Sequence, residues 1–166
     1  MIDLAFYVDA ARSGSILGVG PGSTADEIQN ALGRDFVDDA RRGRMRRDYG
    51  LVEFQFNRSG SGWLCFGMAI QVHRLPSGGT RIIPAALRDR YGQLAASVDA
   101  DLFAQALAMR GGQIVREGVE GEFTRYRVDG TSSFVHVHEE RQELIGEGGS
   151  GDVWSIEIRG PGTVRG

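Results

Sequence analysis

A chain of 166 residues that is 41% hydrophobic and 25% charged has the composition of a globular protein and the length of one domain with a substantial core. No stretch approaches the roughly 18 apolar residues of a membrane span, and the N-terminus, MIDLAFYVDAAR, carries two aspartates where a secretory signal has a basic region, so a cytoplasmic location is expected. One cysteine excludes an internal disulfide and a multi-cysteine zinc cage, and nineteen basic residues that are all arginine exclude a P-loop, which needs a lysine.

The first dozen residues fit a short helix and an edge strand equally well. A glycine-rich turn, Gly18-Val19-Gly20-Pro21-Gly22-Ser23, then opens a helix: Thr24 and Glu27 stand at capping-box spacing, Ile28, Ala31 and Leu32 form its inner face, and Gly33 stops it. The charged segment Arg34 to Arg47 reads as a loop ending in a short strand. From Asp48 to Leu75 the pattern is that of a β-hairpin. Val52, Phe54 and Phe56 alternate with Glu53, Gln55 and Asn57, and the run Arg58 to Gly62 turns the chain. The return strand, Trp63 to Arg74, is expected to place Leu64, Phe66, Met68, Ile70 and Val72 on one face and Trp63, Cys65, Gly67, Ala69, Gln71 and His73 on the other. A strand apolar on both sides belongs in the middle of a sheet, its small-residue face covered by a helix.

Pro84 to Tyr91 and Asp99 to Arg110 read as helices, the second with Leu102, Phe103, Ala106, Leu107 and Met109 on and around one stripe. The rest is strand-like: Gln113 to Arg116, Glu122 to Val128, Ser133 to His138, Glu143 to Ile145 and Val153 to Arg159, with Asp129-Gly130 marking a hairpin. Helix, strands, helices, strands in this order define an α+β class, an antiparallel sheet of hairpins and meanders with helices packed on it. A single domain over residues 1–159 and a flexible tail over 160–166 are expected. Both halves follow a helix-then-meander plan, compatible with a pseudo-symmetric sheet, although the residues show no self-similarity.

Charge is unevenly placed. Ten acids stand against three arginines from Glu117 to Glu157, whereas Arg41, Arg42, Arg44, Arg46 and Arg47 form a basic run. An acidic third of a domain repels nucleic acid and attracts basic proteins; its bland alternative is a solvated sheet face. The candidate contact residues are Glu117, Glu120, Glu122, Glu139, Glu140, Glu143 and Asp152, with Trp154 as an anchor if its side chain is exposed.

A second reading is a metal site. His136 and His138 lie two apart on a strand and share a face, where Glu140 and Glu143 would complete a ligand set. Gly130, His136, His138 and Glu143 stand at the spacing of the first cupin motif, and this resemblance, about twenty residues long, implies a small metal-dependent enzyme or metal-binding protein. The sequence departs from the cupin pattern at Ser150 and has no histidine after His138 for a second motif. Other chemistry has less to stand on. The glycine-rich turn before the first helix is a weak anion site, Cys65 sits in the most apolar strand as an inert core thiol, and no catalytic set or cofactor is expected.

The run from Gly18 to Leu75, with GPGSTADEIQNALG, RRDYGLVEFQF and the tryptophan-led strand ending IQVHRL, is similar to small actinobacterial immunity partners of polymorphic toxins; the resemblance covers about a third of the chain. The lysine-free, glycine-rich composition also suits a GC-rich genome. This resemblance implies a compact non-enzymatic α+β protein, monomer or homodimer, that blocks a cognate toxin acting on nucleic acid or nucleotide. It assigns no site residues.

Overall fold

The computed structural model describes residues 3–138 and 151–161. The ambiguous N-terminus is a helix, α1 (Ala5–Ser13), which buries Phe6, Tyr7, Val8, Ala10 and Ala11 and ends on Gly14 in the left-handed region. Helix α2 (Ala25–Leu32) carries the expected capping box between Thr24 and Glu27. The segment read as a loop is instead a hairpin, β1 (Val37–Arg41) and β2 (Arg44–Asp48). So charged a strand is stable because its inward positions hold Met45 and a fully partnered Arg47. The Arg47 guanidinium donates to both Asp38 oxygens at 2.9 and 3.1 Å and to the Ala25 carbonyl at 2.8 Å, and it lies 3.9 Å over the Phe36 ring.

Strands β3 (Val52–Ser59) and β4 (Gly62–Ile70) form the central hairpin, as expected, but the faces of β4 are not those its alternation suggests. Gln55 lies opposite Gly67 and Phe56 opposite Cys65, so Phe66 is an extra, bulged residue. Below the bulge Cys65 joins Met68 and Ile70 on the buried side, and Leu64 turns to the exposed side. The helix-covered face of β4 is thus the large apolar one, and Gly67 and Ala69 lie on the opposite face. The strand also stops at Ile70, four residues early. A 3₁₀ turn (Val72–Arg74) follows, and Arg74 folds back to donate to Glu53 at 2.7 Å and to the Gly50 carbonyl at 2.8 Å. Helix α3 (Leu75–Gly78), a second 3₁₀ turn (Gly79–Ile82) and helix α4 (Ala85–Tyr91) lead on.

Helix α5 (Ala100–Ala108) is capped by the Asp99 carboxylate and buries Phe103 and Leu107, leaving Leu102 and Met109 46% and 89% exposed. Strands β5 (Ile114–Glu120), β6 (Phe123–Val128), β7 (Ser133–His138) and β8 (Asp152–Arg159) complete the sheet. The strand expected at Glu143 to Ile145 lies outside the described residues, as do residues 162–166 of the expected tail. Gly160 is buried and its N–H donates to the Phe66 carbonyl at 2.8 Å. Among the described residues no helix is long and apolar enough to cross a membrane.

Among the described residues eight strands form one antiparallel sheet in the order β1-β2-β3-β4-β8-β7-β6-β5: two four-stranded meanders joined through their last strands. The fold is α+β. Helix α1 packs on β7 and β8 and against α5, and α2 packs on β4 and against α4, enclosing one core that includes Tyr7, Phe54, Phe56, Phe103 and Ile156. The two halves correspond at their caps, bridges and central bulges. Thr24 and Asp99, which cap α2 and α5, form isolated bridges to Leu64 and Asp152. The next residues, Cys65 and Val153, each donate their N–H at 2.8 Å to the carbonyl preceding the cap, that of Ser23 and that of Val98. One residue further come the bulges, Phe66 in β4 and Trp154 in β8. Met68 pairs with Ile158 and Ile70 with Ile156, so the register is symmetric about Ala69 and Glu157.

Candidate functional site around Trp154

The bulge in β8 decides where Trp154 goes. His136 lies opposite Ser155 and Val137 opposite Val153, which leaves Trp154 unpaired between them. With Val153 and Ile156 directed into the core, the indole emerges on the outer face, 39% exposed. His73, from the turn after β4, stacks flat on it, with ring centroids 4.4 Å apart and planes 2° from parallel, and His73 Nδ1 lies 3.2 Å from the Trp154 carbonyl oxygen. Phe123 of β6 and His138 of β7 are cross-strand partners and meet the indole from the other side at 5.3 and 5.7 Å. All three histidines of the chain thus lie near this strand, His136 with its Nδ1 3.5 Å from the Ser155 hydroxyl.

The acids around this cluster are of two kinds. Glu117 bridges Arg125 and Arg127 at 3.5 and 2.8 Å, Glu120 pairs with Arg125 at 2.6 Å, and Asp129 with Arg127 at 3.4 Å. Glu157 holds Arg159 at 3.0 Å, and that guanidinium lies 4.2 Å over Phe134. These groups neutralise one another across the sheet. Glu122 and Asp152 are different. The Glu122 side chain is 81% exposed, with His138 its one ion-pair neighbour among the described residues, at 3.7 Å, and Asp152 is exposed opposite His138. Glu139, Glu140 and Glu143 lie outside the described residues; in sequence they follow His138 directly. The structure therefore brings Glu122, Asp152 and Trp154 together, and sets Glu117 and Glu120 apart as ion-pair partners. His73 and Phe123 belong to the cluster although their sequence context assigns them to no site.

The metal reading loses definition at this point. His136 and His138 do share a face of β7, but their proposed carboxylate partners Glu140 and Glu143 lie outside the described residues. Among the described residues no group of three or more His, Cys, Asp or Glu side chains converges to hold a metal ion. The glycine-rich turn before α2 has its amides engaged: Gly22 N–H donates to the Cys65 carbonyl at 2.8 Å, Ser23 N–H to the Gly20 carbonyl at 2.9 Å and Gly20 N–H to the Ser23 hydroxyl at 3.1 Å. Cys65 is 2% exposed, and burial pushes its thiol up to about 11, which suppresses the thiolate at neutral pH.

These features define a class: an α+β protein with a half-exposed antiparallel sheet face centred on an aromatic cluster. Comparison with known proteins adds no family to it, since no family model, no curated protein and no solved structure matches the chain.

Proposed function

We propose that the protein is a non-enzymatic binding protein that neutralises a cognate toxin enzyme in the cytoplasm by covering its basic, substrate-binding cleft. One observation carries this reading: a half-exposed tryptophan stands on the outer sheet face, propped by His73 and bordered by the exposed acids Glu122 and Asp152. Interfaces concentrate their binding energy in such aromatic anchors, and a charged rim sets partner choice and encounter rate. A basic cleft that normally receives phosphates would meet carboxylates from Glu122, Asp152 and, following His138 in sequence, Glu139, Glu140 and Glu143. No cofactor takes part in such occlusion.

The test is co-expression with the product of the adjacent open reading frame, scoring cell survival and co-elution. Rescue with one stable complex, weakened by Trp154→Ala and by Asp152→Arg, is the expected result. A non-toxic neighbour that forms no complex overturns the reading and makes metal content in a His136→Ala, His138→Ala comparison the next measurement.

A further inference from the structure

The segment between the two halves, from the turn after β4 to the cap of α5, carries α4, which packs against α2 as α1 packs against α5, and it borders an open cavity. The cavity, about 390 Å³, is lined by Leu75, Ile83, Leu94 and Ala96, with Thr80 and Arg88 among its polar wall groups. Leu75, Ile83 and Leu94 are 3%, 7% and 7% exposed and form its apolar floor, whereas Thr80, Arg88 and Ala96 are exposed at its rim. Gly79 and Gly92 also line it, and a Cβ built on either meets nothing within 4 Å, so neither glycine blocks the space.

We infer that this cavity is a binding site for a small amphipathic carboxylate, with its apolar body against Leu75, Ile83 and Leu94 and its carboxylate on Arg88. Among the described residues Arg88 is the only charged residue in the lining. Its side chain is exposed at the mouth of the cavity and, among the described residues, makes no ion pair, as is also true of the neighbouring Arg81 and Arg90. A guanidinium presents paired donors that match a carboxylate, and a mostly apolar cleft of ~300–1,000 Å³ with a few polar groups is the usual form of a small-ligand site. Helix α4, which carries Arg88, has only seven residues, so the negative end of its dipole is minor beside a full positive charge. The site is independent of the outer sheet face.

Isothermal titration of the purified protein with octanoate, octanol and octylamine, each below its micellar range, tests this. Saturable octanoate binding is expected, with octanol weaker and octylamine weaker still. Arg88→Gln should weaken octanoate at least tenfold and leave octanol unchanged, and Ala96→Phe should block both ligands while the far-ultraviolet circular dichroism stays native. Absence of saturable binding, octanol binding as tightly as octanoate, or indifference to Arg88→Gln would each overturn the assignment.

Discussion

Trp154 lies flat against His73, ring planes 2° from parallel, and the same imidazole is 3.2 Å from the tryptophan's own carbonyl oxygen. The indole is therefore oriented before any partner arrives, which lowers the ordering cost of binding. Trp154→Ala should weaken the complex with the co-eluting partner by about 30-fold or more, the measure of an interface hot spot. His73→Ala should weaken it less, through lost orientation alone. In a Trp63→Phe background, His73→Ala should also change the near-ultraviolet circular dichroism of Trp154, a readout that needs no partner.

Among the described residues Arg47 is the one arginine whose side chain is almost fully enclosed, at 6% exposure, and Asp38 beside it is 32% exposed. Arg47→Met removes the charge but strands the Ala25 carbonyl and one face of Asp38, with an expected loss of about 2–3 kcal/mol. Arg47→Lys keeps the charge but forfeits the two-point contact with Asp38 and the flat stacking on Phe36, for a loss of about 1–2 kcal/mol. Urea denaturation measures both.

Thr24 and Asp99 occupy corresponding places, each accepting a hydrogen bond from the third residue of its helix and bridging to the fourth strand of its meander. Thr24→Ala and Asp99→Ala should each cost about 1 kcal/mol, and because the two caps share no partner, the double variant should lose the sum. A marked departure from additivity in chemical denaturation would contradict the independence of the two caps.

The Cys65 thiol, pushed up to about 11, stays protonated in the folded chain, and in the unfolded chain it ionises near 9.0. Between these values the unfolded state has released a proton that the native state keeps, so this contribution to stability falls as pH rises from 9 to about 11. The phenols of Tyr7, Tyr49 and Tyr91, also raised by burial, act in the same direction from their ordinary value of 10 upward. Denaturation between pH 8 and 11 should show falling stability, with Cys65→Ala removing the part that begins near pH 9. At neutral pH iodoacetamide should leave native Cys65 unmodified and label it once the chain unfolds.

Local features were readable in the sequence and long-range ones were not. The cap of α2 depends on Thr24 and Glu27, three positions apart, and the apolar alternation of β3 depends on nothing beyond its own strand. The bulge at Phe66 has no local mark, because alternation continues through it and only the pairing of Gln55 with Gly67 reveals the inserted residue. The acidity of the second half was legible as composition, but its neutralisation depends on register, which sets Arg125 and Arg127 beside Glu117. The Asp129-Gly130 hairpin was visible too. As a two-residue turn it would set Phe123 opposite His136; the loop actually extends through Ser132 and sets Phe123 opposite His138, which builds the cluster on Trp154. Arg47 read as part of an exposed basic run because its partners, Asp38 and the Ala25 carbonyl, are distant in sequence.

The joining of the meanders through β4 and β8 governs how the chain is made. As it leaves the ribosome, β4 is complete well before β8 exists, and in that interval the middle strand of the future sheet presents a bare row of N–H and C=O groups. Such an edge invites pairing with other nascent chains. Closing it requires contacts between residues as distant as Ala69 and Glu157, a non-local step that slows folding relative to a helical protein of this size. A chain truncated before Asp152 is therefore expected to aggregate more readily than the full chain.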